Sequence, residues 1–181
     1  EERMLLLPIG ALDTLDYTSY VMHVGSKLVL DATGEALTSE APPRAVEDPS
    51  RLDRRVTGHR LLEGGFLVVR VQQDARGVLE GLLKWEGLGP TKFVVAVSDD
   101  VDLSSETSLL WGIFTRFDPA RDMIFAQQSF VGARPVYRGP IAIDATWKTG
   151  YPLPLTMPEG IIQRVDQRWN EYFPRRVEGG R

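Results

Sequence analysis

Three aspartates close together, Asp99, Asp100 and Asp102, follow the apolar run Phe93-Val94-Val95-Ala96-Val97-Ser98. Carboxylates so placed could bind a divalent cation through oxygen ligands. Short acids also turn a chain and cap the helix that follows. The neighbours favour the second use: Ser104 and Ser105 are N-cap residues ahead of Glu106, and no histidine or further acid is spaced to complete a metal set. No metal ligand is therefore expected in this chain. Lys84 and Lys92 flank Glu86-Gly-Leu-Gly-Pro-Thr. Glycines between a helix and a strand can approach a phosphate, but the spacing is neither that of a P-loop nor GxGxxG. A solvated lysine and a C-capping glycine are the plainer account. Arg116, in Phe-Thr-Arg-Phe-Asp-Pro-Ala-Arg-Asp, is expected to pair with Asp118 or Asp122 and fix a turn. His23 and His59, the only histidines, lie far apart without a serine or carboxylate partner, so no catalytic triad is read here.

These residues need elements to position them. The run Phe93 to Val97 is short, apolar and β-branched, as a strand buried on both faces reads. Leu109, Leu110, Ile113 and Phe114 recur at helical spacing, and Met123-Ile124-Phe125-Ala126 opens another apolar run. Earlier, Phe66 to Val71 reads as a strand and Ala75 to Glu86 as a helix, with Val78, Leu79, Leu82 and Leu83 on its apolar face. Two consecutive strand–helix–strand units imply right-handed crossovers in a mostly parallel sheet. The acids then lie at the carboxyl end of a strand, where ligands gather in open α/β sheets. Lys148 to Pro158 is proline-rich extended loop. Pro158 starts a final helix, with Ile161, Ile162, Val165, Trp169 and Tyr172 on one face. The fold class is α/β: a mostly parallel or mixed sheet, flanking helices and a C-terminal amphipathic helix.

Composition excludes several function classes. With no cysteine there is no disulfide, zinc–thiolate site or thiol nucleophile. A net charge of −4 opposes general nucleic-acid binding, which rests on cationic contacts to phosphate. No apolar run approaches the ~20 residues of a membrane span. The N-terminal Glu-Glu-Arg-Met-Leu-Leu-Leu-Pro lacks the basic and long apolar regions of a signal peptide, so a cytoplasmic location is expected. Only four of the 21 basic residues are lysines, which we read as coding bias.

The chain also repeats itself. Met4-Leu-Leu-Leu leads through a loop to Lys27-Leu-Val-Leu and Asp31-Ala-Thr; Met123-Ile-Phe leads through a loop to Ile141-Ala-Ile and Asp144-Ala-Thr. An acid kept twice at a strand end speaks for architecture over catalysis. The expected division is 1–36 as the end of a first module, 37–60 as a linker, 61–173 as a complete module and 174–181 as a loose tail. A first copy that starts midway suggests a piece of a longer protein with tandem modules.

The succession TKFVVAVSDDVD, LLWGIFTRFDPARD and IDATWK resembles the C-terminal half of the UbiD family, over about Leu61 to Tyr172. These are the decarboxylases related to 3-octaprenyl-4-hydroxybenzoate carboxy-lyase of ubiquinone biosynthesis. Both GALDTLDYTSYVMHVGSKLVLDATGE and SFVGARPVYRGPIAIDATWKTG resemble the segment after the family's Arg-Asp strand. The resemblance implies a parent carboxy-lyase that removes CO2, reversibly, from an aromatic or α,β-unsaturated acid. It implies prenylated FMN and a divalent metal in the full-length protein. The family's catalytic residues, flavin barrel and metal ligands lie in the other half, and none is matched here. By the same resemblance one of Lys84 and Lys92 reaches the flavin phosphate. The final helix reaches a neighbouring protomer of a homo-oligomer. The module is then an inactive lid and assembly domain beside the N-terminal flavin-binding half and a small-molecule acid substrate. The competing readings are a noncatalytic oligomerisation module without a ligand and a stand-alone nucleotide-binding α/β protein; the repeat speaks against the last.

Overall fold

A computed structural model describes residues 4–11, 23–31, 33, 46–151 and 156–173. The chain divides into two compact units, residues 1–151 and 152–181. The first opens with a hairpin: β1 (Met4–Ala11) runs antiparallel to β2 (Val24–Leu30), Met4 opposite Leu30.

The main sheet is built from β3 (Val56–Leu62), β4 (Phe66–Val71), β5 (Phe93–Val97), β6 (Met123–Val131) and β7 (Arg134–Ala145). Their order is β3-β4-β5-β7-β6. The pairs β4–β5 and β5–β7 are parallel, and the outer pairs are antiparallel. Three helices accompany the sheet: α1 (Ala75–Leu82), α2 (Glu106–Phe114) and the short α3 (Pro119–Asp122).

The sheet is mixed, and only β4–α1–β5 is a parallel crossover. The sequence suggested two. Met123 lies level with Ile143, which is itself level with Val95, so the chain re-enters the sheet towards the carboxyl end of β5 and β6 must run backwards. A turn at Gly132 (φ 62°) then sends β7 up beside β5. The strand β3 begins five residues inside the stretch read as linker. Val56 is buried in the core with Val46 packed nearby, apolar positions too sparse to show a period.

Central position explains the unbroken apolar run of β5, because each of its faces is covered. Val94 and Ala96 join Leu67, Val69, Val78, Leu79 and Leu82 on the α1 side. Val95 and Val97 join Val101, Leu109, Ile113 and Ile143 on the α2 side. Burying each of the valine, leucine and isoleucine side chains among them contributes about 1.5–3 kcal/mol. The helix α1 ends at Leu82, short of the expected Glu86, and a 3-10 turn follows at Glu86–Leu88. A Cβ at Gly87 would overlap the Trp85 ring, so a larger residue there would have to displace that ring. On α2, Leu109 and Ile113 face the sheet, while Leu110 and Phe114 are exposed.

In the second unit, α4 (Glu159–Gln167) and α5 (Trp169–Tyr172) are separated at Arg168. Their apolar residues Ile161, Ile162, Val165, Trp169 and Tyr172 are all exposed. The proposed tail 174–181 lies outside the described residues, as does the whole stretch 12–22 between β1 and β2.

Candidate functional site

The parallel strands β4, β5 and β7 end on one edge of the sheet, and a cleft of about 430 Å³ opens there. Its lining includes Gln72, Gln73, Asp74, Ser98, Asp99 and Trp147. Asp74, at φ 47°, caps α1 by accepting from the Gly77 N–H at 3.2 Å and is also bound by Arg55. The sequence carries a signal for that strand-to-helix junction, an acid directly ahead of a helical period, although the acids after β5 are the more conspicuous cluster.

One wall is an ionic cluster. Arg116, 5% exposed, donates to both Asp100 oxygens at 2.8 and 2.6 Å. Its guanidinium also lies 4.8 Å from the centre of the Trp147 ring. The expected partners Asp118 and Asp122 are engaged elsewhere. Asp118 caps α3 through the Ala120 N–H at 3.0 Å, and Asp122 accepts from the Asp118 N–H at 2.6 Å. The turn that aims Arg116 back towards β5 is tertiary, so local spacing could not reveal its partner. The Arg116 hydrogen bonds hold the Asp100 carboxyl below the usual carboxylate range. Burial pushes Asp122 the other way, against the Asp118 amide and the Lys148 charge.

Lys148 ties the ends of β7 and α2 together. Its ammonium donates to the carbonyls of Arg116, Asp144 and Thr146 at 2.8, 2.6 and 3.2 Å, and stands 3.4 Å from Asp122. Ser98 Oγ accepts from the Trp147 N–H at 2.6 Å. The three acids after β5 diverge: Asp100 to Arg116, Asp99 towards Thr57 and Arg70, and Asp102 to Ser104. Among the described residues no three acids or histidines converge on a point that could hold a metal. His59 faces Asp48 at 3.6 Å and His23 is an exposed turn residue; neither lines the cleft.

Lys84 follows the end of α1 and Lys92 precedes β5, so both lie at the opposite, amino-terminal edge of the parallel strands. Both are exposed. The loop between them turns its amides inward: Thr91 N–H donates to Leu88 and Lys92 N–H to Gly65 at 2.7 Å. A phosphate there would meet lysine side chains rather than a cradle of backbone N–H groups. A separate apolar groove of about 380 Å³ runs between α2 and the β3–β4 turn, lined by Leu62, Phe66, Leu109, Leu110, Ile113 and Phe114.

Residues 59–137 match the family model of the 3-octaprenyl-4-hydroxybenzoate carboxy-lyase C-terminal domain. Over those residues the chain carries a UbiD C-terminal domain. A protein of Chlamydia pneumoniae, named as one of the subunits of a 4-hydroxybenzoate decarboxylase, is 29% identical over 179 residues, covering 94% of this chain and 29% of that protein. A Chlamydia caviae protein is 28% identical over 179 residues, covering 97% of this chain and again 29% of its own length. The chain therefore spans about three-tenths of the curated relatives it matches. Vanillic acid decarboxylase of Sedimentibacter hydroxybenzoicus, in its closed form, shares the fold with a TM-score of 0.51 at 18% identity, over 69% of this chain and 30% of that one. Among the described residues no helix of the UbiD domain or of the second unit is long and apolar enough to cross a membrane.

Proposed function

We propose that this chain is the lid and assembly module of a UbiD-type carboxy-lyase, one that decarboxylates, reversibly, an aromatic or α,β-unsaturated acid. Prenylated FMN supplies the electron sink for that chemistry in such an enzyme and would be held mainly by the flavin-binding half outside these residues. The observation that carries this reading is how the polar side chains at and behind the cleft wall are engaged. Arg116 is bound to Asp100, Lys148 donates to three carbonyls, and Ser98 accepts from the Trp147 amide. The two cations so engaged stabilise a scaffold, and among the described residues no base accepts from the Ser98 hydroxyl to activate it. From this chain, Lys84 or Lys92 would reach the flavin phosphate as a point charge. No residue of the chain is assigned to a divalent metal.

A noncatalytic oligomerisation module is the second reading. The exposed apolar side of α2, with Trp111 beside Leu110 and Phe114, favours it.

Flavin retention separates the two. The chain is incubated with FMN or prenylated FMN, gel-filtered, and the flavin absorbance is read in the protein peak, with Lys84→Ala and Lys92→Ala alongside. Retention lost in one variant supports the lid reading and names the lysine. A colourless wild-type peak leaves the assembly role alone, and CO2 release by the 181 residues by themselves would overturn both.

A further inference from the structure

The β1–β2 hairpin reproduces the β6–β7 hairpin in register as well as in sequence order. Met4, Leu5 and Leu6 face Leu30, Val29 and Leu28; Met123, Ile124 and Phe125 face Ile143, Ala142 and Ile141. An irregularity in the ladder follows in both, between Leu7 and Gly10 and between Phe125 and Gln127. Each second strand then ends in the same turn. Asp31 Oδ1 accepts the N–H and hydroxyl of Thr33 at 2.8 and 2.6 Å, and Asp144 Oδ1 those of Thr146 at 3.0 and 2.5 Å. Residue for residue, Leu28, Val29 and Leu30 correspond to Ile141, Ala142 and Ile143.

The two hairpins differ in what covers them. On β7, β5 lies alongside in parallel, and Ala142 and Ile143 are 0% and 6% exposed. On β2, the described residues pair only with β1, and Val29 and Leu30 are 52% and 43% exposed. Meanwhile Ser26 is buried, Leu28 is packed against the α2-side core, and α3 lies against both strands of the hairpin. Among the described residues the hairpin is thus seated on one side, and no strand pairs with the β2 edge that its counterpart uses for sheet extension. An open apolar edge of this kind is a template for another strand.

We infer that the edge of β2 at Leu28–Leu30 receives a parallel strand from a further α/β module of the same kind, placed on β2 as β5 is placed on β7. The chemistry of that strand follows from β5: five residues, apolar and β-branched, buried on both faces, continued by a helix that covers Leu30 as α2 covers Ile143. The relatives leave ample chain for it, since about seven-tenths of their length lies outside the matched stretch. The junction between the modules would then run along α3 and the β1–β2 hairpin.

Amide exchange tests this on the product of the complete reading frame and on the 181-residue chain side by side. Ile141 N–H donates to Lys92 of the β5 side at 2.9 Å, so its counterpart Leu28, and Leu30 two residues on, point their amides away from β1. The expected result is exchange at Leu28 and Leu30 slowed by about 100-fold or more in the complete product relative to the chain, with Val29 alike in both. Leu30→Glu should leave the melting temperature of the chain within about 2 °C yet return fast exchange at Leu28 in the complete product. Equal exchange in both proteins overturns the inference. So does protection in the chain that rises with its concentration, which would mean pairing with a second copy, or a reading frame with no further module.

Discussion

Arg116 is the residue that joins the cleft wall to the core: its stem is buried, its guanidinium binds Asp100 bidentately and covers Trp147. Asp100 is half-exposed, so water screens the pair and the lower end of the range for charged hydrogen bonds applies. Arg116→Ala should cost about 2 kcal/mol at pH 7 in urea denaturation. The pair also has a pH signature. Because Asp100 is held low in the folded state, its stabilisation is complete above the unfolded pKa of about 3.9 and is lost as pH falls through the lower folded value. Asp122 has the opposite sign, since burial raises it. Its ionised form costs stability at neutral pH, and that cost is relieved as pH falls through the raised value towards about 3.9. Urea midpoints followed from pH 7 to 3 should therefore show Arg116→Ala flattening the acid loss and Asp122→Asn abolishing a gain. Identical profiles for both variants and wild type would contradict these assignments.

At the scale of elements, close approach governs the seating of α2. A Cβ at Gly112 would lie 2.6 Å from Val101 Cγ2, in the loop between β5 and the helix. Alanine is worth up to ~1 kcal/mol over glycine in a helix interior. The overlap should outweigh it, making Gly112→Ala destabilising by about 1–3 kcal/mol. In a thermal-melt double-mutant cycle with Val101→Ala, the pair should cost less than the sum of the singles; strict additivity would rule out the contact. The elements that sequence order reveals are those with a strong local signal. The strand β5 is apolar throughout because both faces are covered, and Ser105 caps α2 by accepting from Ser108 N–H at 3.2 Å. What stayed hidden is nonlocal. The outward turn of Leu110 and Phe114 depends on how α2 rolls against Val101 and Ile143, and the reversal at β6 depends on where α3 delivers the chain. The site follows the same division: of the three acids only Asp102 makes the local turn that the sequence suggests, through Ser104, whereas Asp99 reaches Thr57 and Arg70 and the Arg116–Asp100–Trp147 contact joins three separate elements.

For the whole molecule, the two units carry unequal shares of apolar burial. Among the described residues the buried hydrophobic core lies between Val56 and Ala145, with Pro49 buried just ahead of it, and the residues of 156–173 are all exposed.

The parallel contact of β5 with β7 also sets an order in time. Partners for one edge of β5 arrive early, from β4 just across α1, whereas β7 is made only after α2, α3 and β6. Closing that longer loop raises the entropic barrier to the second pairing. During synthesis or refolding, β3, β4, α1 and β5 can assemble first and leave the β7 side of β5 open. Such a species presents an apolar strand edge to any other chain. Refolding yield should accordingly fall as protein concentration rises, while the refolded fraction keeps native stability.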